Sequence, residues 1–133
     1  MSQENVEIAK RGIDAFNRRD VDGWADLMTS DFEFVPALLR VVEGGSYRGR
    51  EGVERYFAEI SDAWEEIRIV AEEIRDLGDR VLVLGRIEGR GRGSGVPVDA
   101  PLGFVVDVRG GNMSRTRGYL DQAEALQSVG LAE

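Results

Sequence analysis

With no histidine and no cysteine among its 133 residues, this chain must do any chemistry with carboxylates, tyrosines, hydroxyls and arginines. The missing imidazole and thiol remove triads built on them, thiol nucleophiles, disulfides and most zinc sites. Lys10 is the single lysine, which leaves almost no candidate for a Schiff-base amine. Among the carboxylates, Asp20 with Asp22 and Asp99 with Asp107 are close enough in sequence to suggest an acid/base or hard-metal pair. Neither pair follows a fixed ligand spacing, so both read more simply as solvated surface charge. No metal and no cofactor are expected. Residues 89–95, Gly-Arg-Gly-Arg-Gly-Ser-Gly, look at first like an arginine-glycine nucleic-acid motif or a phosphate cradle. They lie between two extended runs rather than ahead of a helix, and the spacing predicts a hairpin turn instead.

Charge points the same way. A formal net charge of −8, with charged residues at 32%, argues against nucleic-acid or anionic-membrane binding. The N-terminus, MSQENVEIAK, has neither a basic start nor an apolar core, and no run reaches the ~20 apolar residues of a spanning helix. A cytoplasmic protein is expected. Residues 1–133 read as one domain, of a size that buries about 65–70% of its unfolded surface without disulfide or metal.

The elements that must position any site follow from periodicity. Val6, Ala9, Ile13 and Phe16 recur at helical spacing over Glu4 to Arg19, and the pattern breaks at Asn17 to Asp20. Asp20 can cap a second short helix whose Val21, Trp24, Leu27 and Met28 share a face. Asp31 to Val35 alternates as a strand. Residues 36–47 are poorly patterned and read as a loop, either a lid or simple packing. Arg50 to Trp64 is the third helix, through Val53, Tyr56, Phe57, Ile60 and Trp64. Ile67 to Asp76, Arg80 to Arg90, Val98 to Val108 and a run through Tyr119 then form an antiparallel meander, with turns at Gly78-Asp79 and Gly110-Gly111. Pro101 lacks an amide proton and should sit at a bulge or unpaired position. Asp121 and Glu124 make a capping box for a last helix holding Ala125, Leu126 and Val129.

This order resembles the SnoaL-like branch of the nuclear transport factor 2-like superfamily. The resemblance runs through SQENVEIAKRGIDAFNRRDVDGWADLMTSDFEF, YRGREGVERYF, VLVLGRIEGRGRGSGV and GYLDQAEALQSVGL. It implies an α+β, cone-shaped fold, in which a strongly curved, mostly antiparallel sheet wraps three N-terminal helices, with a short C-terminal helix. Ketosteroid isomerases of that superfamily use a helix tyrosine, a base aspartate after the first strand and a protonated aspartic acid on the sheet. Those positions fall here at or near Gly12, at Val35 or Pro36, and at Phe104, so the isomerase set is absent.

The same resemblance puts Gly85, Ile87, Gly89, Ala100, Leu102, Phe104, Thr116, Gly118 and Leu120 on the concave wall of a pocket completed by Phe16, Trp24 and Phe34. An apolar pocket binding a small hydrophobic ligand is the first expectation. A small cofactor-independent enzyme of polyketide cyclase, isomerase or hydratase type is the alternative, and Glu33, Tyr56 or Asp99 would then have to point inward. The glycines suggest unfilled space, so Gly118→Leu should occupy the pocket without unfolding the protein. Arg86, Glu88, Arg90, Arg115, Arg117 and Tyr119 fall on the outer sheet face, where a homodimer is expected.

Overall fold

The computed structural model describes residues 2–37 and 46–131. Its elements run α1 (Ser2–Arg18), α2 (Val21–Ala25), β1 (Met28–Val35), β2 (Tyr47–Arg48), α3 (Gly49–Ala63), β3 (Trp64–Asp76), β4 (Arg80–Gly91), β5 (Pro97–Arg109), β6 (Asn112–Tyr119) and α4 (Gln122–Ser128). The strands form one six-stranded sheet in the order β2-β1-β6-β5-β4-β3. Only β1 and β6 pair in parallel. The fold is α+β, with a curved, mostly antiparallel sheet around helices, and the sheet stays open at β2 and β3.

Two turns follow directly from glycine chemistry. Leu77 N–H donates to the Arg80 carbonyl at 2.8 Å, closing a two-residue loop through Gly78-Asp79. Gly110 and Gly111 both have positive φ, 61° and 85°, as a tight hairpin between paired Arg109 and Asn112 requires. Pro101 pairs with Arg86 on β4, while the β5–β6 ladder extends only to Gly103 opposite Tyr119. Its missing N–H therefore costs no bond to β6. The arginine-glycine run is a structural turn: Arg92 donates to the carbonyls of Ser61 at 3.0 Å and Trp64 at 3.2 Å, capping the end of α3.

Elsewhere the boundaries differ from the sequence expectation. Leu27 and Met28 continue the apolar spacing of α2, yet the helix stops at Ala25 and Met28 already pairs with Met113. Trp64 opens β3 rather than closing α3. The two-residue strand β2, from the segment read as loop, pairs with Glu33 and Phe34. Most of the segment 36–47 on which the lid expectation falls, residues 38–45, lies outside the described residues.

The main core lies between the helices and the inner sheet face, around Phe16, Trp24, Phe32, Phe34, Tyr56 and Phe57. Asn17 fastens α1 to β3: its side chain donates to the Ile69 carbonyl at 3.0 Å and accepts from the Ile69 N–H at 2.7 Å. A second, smaller core forms on the outer face, where Ala125 and Leu126 of α4 cover Leu82, Leu84 and Val105. Gly103 permits that approach, because a Cβ there would stand 2.7 Å from the Ala125 Cβ.

Candidate functional site

The inner sheet face and α1 do not close on each other completely. Alternation along β5 turns Leu102, Phe104 and Val106 inward, and the stripe of α1 meets them with Ala9, Gly12, Ile13 and Phe16. Ala9 and Gly12 are one turn apart and nearly without side chains, so the layers leave a cavity of about 50 Å³ between them.

Trp24 enters that cavity from α2, whose start is held by the Asp20 carboxylate accepting from Gly23 N–H at 2.9 Å. Its indole meets the rings of Phe32, Phe34 and Phe57 edge-on, with centroids 6.2, 5.4 and 5.5 Å away. Edge-to-face contacts of this kind fix ring orientation as well as burying area. Trp24 is 5% exposed and Thr116 4%. Among the described residues, the Trp24 Nε1 and the Thr116 Oγ1 are buried without a hydrogen-bond partner.

The residues placed on the wall by resemblance divide into two groups. Phe16, Trp24, Phe34, Ile87, Leu102, Phe104, Thr116 and Gly118 line this one cavity. Gly85, Gly89, Ala100 and Leu120 do not. At Gly85 a Cβ would lie 2.0 Å from the Val70 carbonyl oxygen, and at Gly89 2.5 Å from that of Glu66. These glycines let β3 fold tightly over β4, so they mark close backbone approach rather than ligand room. Ala100 packs against the edge of the core. Leu120 is 47% exposed, past the end of β6. Gly118 does line the cavity, but its Cβ position is 2.8 Å from the Ala37 nitrogen. Gly118→Leu would thus displace backbone, contrary to the simple filling expected from sequence.

Of the three groups considered for proton transfer, Tyr56 alone reaches the cavity. It stacks against Phe16 and meets Phe34 and Tyr47 edge-on. Burial, reinforced by Tyr47, pushes its pKa well above the ordinary tyrosine value, so it remains a neutral phenol. Glu33 points to the outer face, within 3.5 Å of both Arg48 and Arg115. Asp99 is exposed and accepts from Arg86 Nε at 2.6 Å. Nearby, Tyr47 donates to Glu59 at 2.5 Å; burial first, then that carboxylate, raises its pKa to about 12.

Sequence reasoning did not place Ala9, Gly12, Ile13, Ala37, Ile69, Val106 and Met113 in the wall, although all line the cavity. Small residues inside the apolar stripe of α1 were the available signal for Ala9 and Gly12. Val106 continues the alternation through Leu102 and Phe104. Met113 had no such signal, because the register shift between Asp107 and Val108 changes the pairing beside it. Among the described residues no group of three or more metal-ligating side chains occurs, and no helix is long and apolar enough to cross a membrane.

The family model described as a SnoaL-like domain matches residues 9–116. A comparison with curated protein sequences gives no match. Among solved structures, the chain is similar to TerC co-crystallised with polyporic acid, at 24% identity and a TM-score of 0.78, covering 93% of this chain and 96% of that one. It is similar to an NTF2-like protein of unknown function from Burkholderia pseudomallei, at 21% identity and 0.80, covering 93% and 95%. A third is RV0760c from Mycobacterium tuberculosis in complex with estradiol-17beta-hemisuccinate, at 18% identity and 0.74, covering 89% and 94%. At these identities the likeness establishes the fold.

Proposed function

The chain belongs to the SnoaL-like domain family, and from that premise we propose that it binds a small hydrophobic molecule between α1 and the inner sheet face, without an isomerase-type catalytic set. The observation that carries this reading is the lining: among the described residues it contains no carboxylate, and its one titratable side chain, Tyr56, is held neutral. A cyclase, isomerase or hydratase working by proton abstraction needs a base within hydrogen-bond reach of its substrate. Gly12 and Phe104 line the cavity at or near the positions where the superfamily's isomerases carry a tyrosine and an acid, and Val35 or Pro36, where the base aspartate would fall, has no titratable side chain. The ligands in TerC and RV0760c support a small-molecule role for a fold of this kind.

The cavity, about 50 Å³, is smaller than the ~150 Å³ engineered space that holds benzene. Binding therefore requires the wall to yield. Met113 is the side chain built for it: an unbranched thioether beside Gly12, adaptable in shape. Each 100 Å² of apolar ligand surface removed from water then contributes about 2.5 kcal/mol.

Calorimetric titration with indane tests the reading. Wild type should bind it. Gly12→Leu should stay folded and lose at least about tenfold in affinity, since its first added carbon meets Met113 Sδ at an ordinary 3.4 Å and the rest extends into the space. Equal binding by both proteins would remove the cavity from consideration.

The homodimer is also part of this proposal. α4 covers only part of the outer face, leaving the strip with Arg86, Glu88 and Arg90 for a second copy. Arg86 and Glu88 already have in-chain partners, Asp99 at 2.6 Å and Arg68 at 3.9 Å, so the interface would be polar and salt-sensitive. Sedimentation at micromolar concentration should give the dimer mass in low salt. A monomer there would exclude it.

A further inference from the structure

Burying a hydrogen-bonding group without a partner is unfavourable, and two residues of a wall that is otherwise almost wholly apolar carry such groups. Thr116 is the strand neighbour of Phe34, and the Phe34 ring centroid is 5.4 Å from that of Trp24. Trp24 and Thr116 thus both adjoin Phe34 and both line the cavity, and among the described residues neither the Trp24 Nε1–H nor the Thr116 hydroxyl has a hydrogen-bond partner. Neither can relax easily. Trp24 is wedged among three phenylalanine rings. Thr116 sits on β6 between β1 and β5, its register set by Phe34 on one side and Val106 on the other.

We propose that these two groups are the polar anchor of the ligand site, selecting hydrophobic compounds that carry an uncharged oxygen acceptor, such as a ring ketone, over plain hydrocarbons. An indole N–H only donates and a threonine hydroxyl can donate, so each is satisfied by a lone pair on an acceptor oxygen of the ligand. Without a cation in the described lining, a carboxylate would enter unpaired and be disfavoured. This inference rests on the cavity being the binding site. It adds the class of ligand, because a site with buried donors discriminates strongly against a ligand that leaves them unpaired.

The test compares indane with 1-indanone, which differ by one carbonyl, on wild type, Trp24→Phe and Thr116→Val. Wild type should bind 1-indanone about five- to thirtyfold more tightly than indane, the range of one to two net hydrogen bonds. Both substitutions should reduce that preference, read as the ratio of the two affinities on the same protein, towards unity. Thr116→Val should also raise the melting temperature of the ligand-free protein, since it replaces an unpartnered buried hydroxyl by a methyl of similar shape. Equal affinity of wild type for the two compounds, or a preference that survives both substitutions, would overturn the anchor and leave the apolar site standing. A lower melting temperature for Thr116→Val would also overturn it, by showing a structural partner for the hydroxyl. Binding of neither compound would overturn the underlying site itself.

Discussion

Gly85→Ala should destabilise the protein by about 3 kcal/mol or more, a large loss for a single methyl group added to a domain stable by roughly 5–15 kcal/mol. The new Cβ would lie 2.0 Å from the Val70 carbonyl oxygen and 3.1 Å from the Ala71 Cα. Those are backbone atoms of β3, paired to β4 along almost its whole length, so relief requires moving a strand rather than rotating a side chain. The place is already irregular, with a register shift between Ala71 and Glu73. Gln122 further ties it to α4 by donating to the Gly85 carbonyl at 2.9 Å. Urea denaturation reads the loss. Gly12→Ala provides the contrast, because its Cβ would meet only the flexible Met113 side chain at 3.4 Å. Removing a glycine from a helix there should stabilise by about 0.5–1 kcal/mol. Equal effects of the two substitutions would mean that the close wrapping of β3 is not what Gly85 serves.

Met113→Ala should move stability and binding in opposite directions. Met113 is 2% exposed, and truncating a buried methionine to alanine costs about 2–5 kcal/mol. The lost side chain stands against Gly12 at the wall of the cavity, so the space it vacates adds to the ligand's room. Indane affinity should therefore rise several-fold even as the denaturation midpoint falls. Ligand binding would return part of the lost stability, by mass action on the folded state alone. Unchanged or weaker indane binding by a folded Met113→Ala protein would show that the wall does not have to yield.

Much of this architecture was legible from periodicity. The stripe of α1, the alternation of β4 and β5 and the cap at Asp121, whose side chain accepts from Ala123 N–H, correspond to elements found at nearly those boundaries. The wall residues Leu102 and Phe104 follow from the same alternation. What was not legible depended on how layers approach one another. Gly85 and Gly89 read as missing side chains and hence as space, whereas the curvature of the sheet brings β3 backbone into that volume. A periodic pattern records which face a residue takes, but not how far away the next strand is. The helical spacing of Leu27 and Met28 likewise gave way to tertiary pairing, with Met113 N–H donating to the Leu27 carbonyl at 2.6 Å. β2 is two residues long, too short for any period. The outer-face core under α4 joins Leu82 and Leu84 to Ala125 and Leu126, about 40 residues later in the chain, and no local pattern announces such a contact.

Tyr56 illustrates the chemical side of the same point. Its place among the apolar residues of α3 was readable, and so was its candidacy for proton transfer. Its neutral state follows from burial among other rings, a property of packing that spacing does not encode.

The most direct test of the central claim is a crystal structure of the wild-type protein grown with indane. The expected result is ligand density enclosed by Gly12, Trp24, Phe104 and Met113, with the Met113 side chain moved from its position against Gly12. Density confined instead to a second, open groove lined by Arg19, Glu66, Glu88 and Asp99, or to the outer sheet face near Arg117, would contradict it.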